Sequence, residues 1–255
     1  MQQQARLPAE NIYGHTKKLR FIIDQVDRYL AAHGAPVTLL DFGCGNGSAV
    51  SQFLMRPGVE YYGVDIHEPS LRYAREHFGG PHARFLDAPP EGVEFDLLVY
   101  SDILEHLDDP VGFLKQHYPL LKPGGILAGS VPNGYGPFEN EKRVDQVLHL
   151  TGAYNFALNL KHKMAGRTPA AGDAPAAIPY NAESGHVQFF TRGALVRTIQ
   201  AAGFRDVRLA KGTFAGSPVS SLFLRPGEKM ARLNARVADF LPYWALSTWY
   251  FTATK

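Results

Sequence analysis

Two histidines of this chain are candidates for a general base. His106 sits in "LEHL", and His186 in "SGHVQFFT" beside Phe189 and Phe190. Histidine is the side chain whose ordinary pKa, about 6.5, leaves a free lone pair at neutral pH. Such a base assists attack by an alcohol or phenol on an electrophile. Each also has a bland role open to it: His106 as a cap or packing residue of the next helix, His186 as a partner of a nearby backbone group. Acids recur in a pattern of their own. Asp41, Asp65 and Asp87 close three successive apolar runs, "LLDF", "YYGVDI" and "FLDA", and Asp102 and Glu105 follow a fourth in "FDLLVYSDILEH". A carboxylate has two oxygens and can accept from both hydroxyls of a diol. A lone aspartate at a strand end also serves as a helix cap or turn residue, so the set carries the reading better than any member. After the first acid come Gly43, Gly45 and Gly47 in "FGCGNG". Glycines this dense mark unusual dihedrals or a ligand lying close to the backbone. Their spacing is GxGxG, not the GxGxxG of dinucleotide sites, and Asp65 lies about 20 residues on, where a ribose-binding carboxylate is expected.

These residues need elements to hold them. Residues 16–33 place Leu19, Ile22, Ile23, Val26, Tyr29 and Leu30 at helical spacing. Strand and helix signals then alternate: strand "VTLLDF", helix "SAVSQFLM", strand "YYGVDI", helix "EPSLRYAREHF", strands "ARFLDA" and "FDLLVYSD", helix "DPVGFLKQHYPLL", strand "GGILAGSVP". "TRGALVRTIQAAG" is a further helix with Thr191 as N-cap, "FRDVRLAKG" a strand, and "STWYFTATK" a last strand. Such alternation predicts an α/β fold with a doubly wound, mostly parallel sheet. The expected organisation is an N-terminal helical segment at 1–36 and one domain over 37–255, with an insertion at about 132–190 acting as a cap. Its "AGRTPAAGDAPAAIPY" stretch is expected to be mobile. A second insertion, 213–246, contains "EKMARLNARVADFL", where Met230, Leu233, Val237, Phe240 and Leu241 share a helical face. With few basic residues around it, that face is expected to meet the core rather than a membrane.

The totals narrow the function classes. The chain has 255 residues, 26 basic against 24 acidic, and a formal net charge of +2. No basic stripe suits nucleic acid. Cys44 is the only cysteine, so an intramolecular disulfide and a cysteine-rich metal site are excluded. The opening residues lack the apolar core of a secretion signal, and no apolar run approaches the ~18 residues of a membrane span. A cytoplasmic protein without stable membrane insertion is expected, and a homodimer is left open.

The motifs "LLDFGCGNG", "YYGVDIHEPSL", "FLDAPP", "FDLLVYSDILEHLDDP" and "LLKPGGILAGSVPN" come in one order. In that order the chain resembles the class I S-adenosylmethionine-dependent methyltransferases, closely over 37–133 and more loosely after 190. The nearest likeness is to small-molecule O- and N-methyltransferases of ubiquinone, sugar and natural-product biosynthesis. The resemblance implies a Rossmann-like sheet of seven strands, S-adenosylmethionine as cofactor and S-adenosylhomocysteine as product. Gly43, Cys44 and Gly45 would form the loop against its methionine part, with Asp41 favouring the ammonium group. Asp65 would take the ribose hydroxyls, Ile66 an adenine face, and Asp87 and the Ala88 amide the adenine edge. Tyr100 or Ser101 would flank the methionine end, and Tyr13, with His15, would close over the cofactor. Asp102, Tyr135, Glu139 and Tyr154 are the candidates for the acceptor pocket. Methyl transfer is an in-line displacement that relies on proximity and alignment, and no metal is expected. The rival readings are a methyltransferase of protein or RNA and a non-catalytic S-adenosylmethionine-binding protein.

Overall fold

The computed structural model describes residues 5–151, 185–214 and 227–255, and the side chains among these except those of 145–148. Tyr154 and the alanine- and proline-rich stretch at 165–180 lie outside the described residues. Helix α1 (His15–His33) leads into β1 (Val37–Phe42), α2 (Ser51–Leu54), β2 (Val59–Val64), α3 (Glu68–Phe78), β3 (Ala83–Leu86) and β4 (Phe95–Ser101). Then come α4 (Pro110–His117), β5 (Leu121–Pro132), α5 (Pro137–Leu150), α6 (Arg192–Ala201), β6 (Arg205–Lys211), α7 (Glu228–Val237) and β7 (Thr248–Thr254). The seven strands form one sheet in the order β3-β2-β1-β4-β5-β7-β6. Strands β1 to β5 pair in parallel, whereas β7 runs antiparallel between β5 and β6. The expected doubly wound, mostly parallel sheet is therefore present.

The central strands are continuous apolar runs because both of their faces are covered. Successive residues supply opposite layers. Leu39, Leu97 and Val99 join Leu19, Ile22 and Val26 of α1 on one face. Leu40, Leu98 and Tyr100 join Leu114 of α4 and Leu195 and Ile199 of α6 on the other. Register decides where the chemistry lies. Phe42 pairs with Val64 of β2 and Tyr100 of β4, so three strands end level. The order reverses between β1 and β4, and ligands of open α/β sheets bind beyond the carboxyl ends at that point.

The helix read over "SAVSQFLM" shrinks to four residues, because turns occupy 48–50. The expectation for the 213–246 insertion needs a larger correction. Helix α7 forms, but Met230, Leu233, Val237 and Phe240 are exposed, and its buried face is Ala231, Asn234 and Ala235. Small side chains let the helix approach closely, and the Asn234 amide donates to the Ile12 carbonyl at 3.0 Å. Among the described residues no helix is long and apolar enough to cross a membrane.

This reversal is testable by urea unfolding. Ala235→Leu overpacks the contact face and is expected to cost about 1–3 kcal/mol. Leu233→Ser is expected to stay within about 0.5 kcal/mol of the parent; a larger loss shows that this face is covered in the folded protein.

Candidate active site

The first half of the site is the loop after β1. The Gly43 and Cys44 amides donate to the Val64 carbonyl at 2.7 and 3.1 Å, which holds the loop against β2. Gly43 has φ 68° and Gly45 φ 55°, backbone conformations that favour glycine. A Cβ on Gly43 would lie 2.0 Å from Ile103 Cδ1, whereas one on Gly45 would meet only open space. Asp65 supports this turn from β2: Oδ2 accepts the Gly45 amide at 2.7 Å and Oδ1 the His67 amide at 2.8 Å. Each oxygen keeps a further lone pair for a ligand hydroxyl. Ile66 is 88% exposed beside it, and Asp87 and Ala88 are exposed at the end of β3. An open backbone cradle, a carboxylate with spare acceptors and an unpacked apolar side chain fit a nucleoside-bearing ligand.

Asp41 lies under the loop, not in it. It is buried, and its Oδ2 accepts from Ser51 Oγ at 3.0 Å and Tyr61 Oη at 2.7 Å. Burial pushes its carboxyl up to about 6 despite the two hydroxyls. Cys44 is buried as well, and desolvation raises its thiol far above the ordinary value, so it is no nucleophile. Tyr100 departs from expectation. Strand alternation turns it into the core with Phe42, Phe113 and His117, fully buried, so it does not flank the ligand edge. Ser101, the next residue, is only part-buried at that edge.

The second half is a cavity of about 290 Å³ at the ends of β4 and β5. Tyr13, just before α1, and His15 and Lys18 from its first turn line it, with Asp102, Glu105, His106, Phe138, His186 and the start of β7. The Ala49 backbone is near enough to act on the His15 ring, so this wall adjoins the glycine loop. Burial and then the Lys18 charge lower the His15 pKa. Asp102 has φ 56°, rare for a non-glycine residue. It accepts from Lys18 Nζ at 2.5 Å and Ser130 Oγ at 2.6 Å. Burial opposes its ionisation, but Lys18 and the two hydrogen bonds prevail and hold its pKa down. Glu105 is the opposite case. It is 1% exposed, neither carboxylate oxygen has a partner, and burial plus the Asp102 charge push its pKa well up. The Glu105 carbonyl accepts the Val187 and Gln188 amides at 2.9 Å each, bringing the last residues of the 132–190 stretch back beside the exit of β4. His186 thereby meets His106 edge to face, ring centroids 5.0 Å apart. His186 Nδ1 bonds Glu139 Oε1 at 2.7 Å, and His106 Nδ1 bonds the Gly185 carbonyl at 3.0 Å. Burial works against the Glu139 charge, but His186, Lys142 and Arg143 keep it ionised.

A profile of the family described as "Methyltransferase domain" matches residues 13–209. The chain belongs to this family. Its class I, S-adenosylmethionine-dependent character agrees with the motifs and the sheet order. The ubiquinone biosynthesis O-methyltransferase of Ruegeria pomeroyi is 34% identical over 123 residues, covering 45% of this chain and 49% of that protein. The chain spans about half the length of the curated relatives it matches. An S-adenosylmethionine-dependent methyltransferase from Mesorhizobium loti superposes with TM-score 0.53 at 16% identity, over 95% of this chain and 98% of that one. The [4+2]-cyclase SpnF superposes with TM-score 0.51 at 18% identity, over 91% and 80%, so likeness at this level speaks for fold alone.

Of the residues expected in the methyltransferase's site, Tyr13, Asp102, His106 and His186 meet at the cavity, with Glu139 behind His186. Tyr135 does not; it is 59% exposed beside Arg143. Lys18 was not among the candidates. Its signal lay in the i, i+3 step from His15 on the first turn of α1. Thr213, Ser247 and Thr248 also line the cavity, and no local pattern marks them.

The buried Asp41 carries a pH signature. Its proton is held more tightly in the folded chain, about 6, than at the ordinary 3.8. Stability from this group is present below pH 4 and is lost as pH rises through 6. Asp41→Asn keeps an acceptor oxygen without titrating. It is expected to gain on the parent by about 2 kcal/mol between pH 4 and pH 7, read from urea unfolding at both pH values. A pH-independent difference would mean that Asp41 is not held protonated.

Proposed function

We propose that this protein methylates a hydroxyl oxygen of a small acceptor held in the cavity, with His186 taking the acceptor's proton. The observation that carries the reading is the Glu139–His186 pair at the cavity wall. An ionised Glu139 accepts the Nδ1 hydrogen, which fixes the tautomer and leaves the lone pair on Nε2. S-adenosylmethionine supplies a sulfonium-bound methyl group and leaves as S-adenosylhomocysteine. The cradle at Gly43 to Gly45 would hold its methionine part, Asp65 its ribose hydroxyls, and Ile66, Asp87 and Ala88 its base. Ser101, at the end of β4, would flank the methionine end of the cofactor. Asp102, fixed by Lys18 and Ser130, and Phe138 orient the acceptor, with the hydroxyl towards the methyl group. Alignment is the main contribution, and proton removal adds to it. His106 is the helper, its own Nδ1 hydrogen given to Gly185. A cavity of this volume supports a small acceptor over a polymer. The ubiquinone-pathway name of the relatives points the same way.

Two measurements test the two halves separately. Asp65→Ala removes charge-assisted hydrogen bonds worth ~1.5–3 kcal/mol each. It is expected to weaken S-adenosylmethionine binding at least about tenfold in calorimetric titration. Unchanged affinity in a folded variant takes Asp65 out of the site. His186→Ala is expected to lower turnover by about 10²–10⁴-fold with cofactor affinity nearly intact, followed by mass detection of the methyl gain on a panel of alcohols and phenols. Parental rates for both His186→Ala and His186→Asn on the true acceptor would make His186 structural.

A further inference from the structure

Glu105 raises a question that methyl transfer alone leaves open. It is 1% exposed, it lines the cavity, and both of its carboxylate oxygens lack a hydrogen-bond partner. A buried polar group without a partner calls for a missing ligand, water or ion. Two imidazoles stand next to it. His106 Nε2 is 4.0 Å from Glu105 Oε1, and one donor atom each of Glu105, His106 and His186 lies within 4.8 Å of the other two. The tautomers follow from their partners. The Gly185 carbonyl can only accept, so His106 carries its hydrogen on Nδ1 and keeps the Nε2 lone pair. Glu139 fixes His186 in the same way. Two imidazoles anchored through Nδ1 to oxygen acceptors, beside one carboxylate, are the donor set and the supporting shell of transition-cation sites.

We propose that Glu105, His106 and His186 bind one divalent transition cation, zinc being the best match, with an open position towards the cavity. Imidazole nitrogen favours zinc, copper, iron or nickel over magnesium or calcium. Donors about 2.0–2.2 Å from a tetrahedral ion stand about 3.4 Å apart, so the present spacing closes by side-chain rotation of about 1 Å. The Val187 and Gln188 amides on the Glu105 carbonyl hold the two chain segments in place for this. Three protein donors leave a fourth position free, the arrangement of catalytic rather than structural sites. The inference rests on the acceptor pocket proposed above, but not on His186 as the base. A nitrogen that holds the cation cannot also accept a proton. In the cation-loaded protein the acceptor hydroxyl occupies the open position and its proton passes to water; in the cation-free protein it passes to His186. This departs from the expectation of a metal-free reaction.

The test uses the whole chain stripped with a chelator. Zinc chloride is titrated by calorimetry and cobalt chloride by visible absorption, which reports four-coordinate geometry. One equivalent is expected for the parent. Glu105→Gln and His106→Ala should each weaken binding at least tenfold. Glu139→Gln, which removes the anchor of His186, should weaken it about 10–100-fold. His82→Ala, an exposed imidazole elsewhere, should change nothing. Circular dichroism checks folding, and His106→Ala carries the test should Glu105→Gln fail to fold. No binding, or binding indifferent to Glu105→Gln and His106→Ala, overturns the site. Full turnover of the stripped protein with no binding overturns the site and leaves hydroxyl methylation standing. One-equivalent binding that these variants weaken, with no turnover of any hydroxyl acceptor, does the reverse.

Discussion

Parallel strands end together, and their last amides and carbonyls have no neighbour to pair with beyond the sheet edge. This protein meets that constraint with carboxylates and returning backbone, and both halves of the site follow from it. Asp65 takes the Gly45 and His67 amides, one on each oxygen, and so turns a glycine loop into a fixed cradle. At the end of β4 the roles invert: the Glu105 carbonyl receives the Val187 and Gln188 amides. The first arrangement leaves spare lone pairs facing out. The second carries His186 across to His106 and leaves the Glu105 side chain sealed beneath them.

Three acids of the acceptor half sit in environments that move their proton affinities in different directions. Asp102 is ionised because Lys18 and Ser130 satisfy it. Glu139 is ionised because His186, Lys142 and Arg143 surround it. Glu105 has no such partner, and the Asp102 charge adds to the cost of its burial. Environments that push neighbouring acids apart are how one pocket holds different proton affinities. A cation at Glu105 would replace the partner that Lys18 provides for Asp102.

The sequence was most legible where structure is local. The strand "VTLLDF" and the helix "EPSLRYAREHF" match β1 and α3 residue for residue, and Thr191 caps α6 by accepting the Ala194 amide. The glycine loop and Asp65 could be read because a turn and the next strand end lie close together in the chain. Tyr100 misled because an apolar run covered on both faces has no alternation in its residue types to show which side chain turns inward. Helix α7 misled for a related reason. Its larger side chains form the visible stripe, yet Ala231, Asn234 and Ala235 opposite make the buried face, close to the chain at Ile12.

The acceptor half was hard to read because no stretch of chain contains it. Lys18 comes from α1, Glu105 and His106 from the chain after β4, His186 from the far end of the 132–190 insertion, Thr213 from just after β6, and Ser247 and Thr248 from the start of β7. Their meeting depends on the antiparallel β7 entering between β5 and β6, which carries Thr248 to the rim. It depends as well on Gly14, where an added Cβ would strike Thr213 Cγ2 at 2.1 Å. The start of α1 can therefore press against this wall only while residue 14 lacks a side chain. A cradle coded by the single passage from β1 through α2 to β2 changes little when distant segments change. A pocket assembled from six separate stretches can be reshaped by any one of them. The glycine-loop half of the site is thus set locally, and the cavity half by the path of the whole chain.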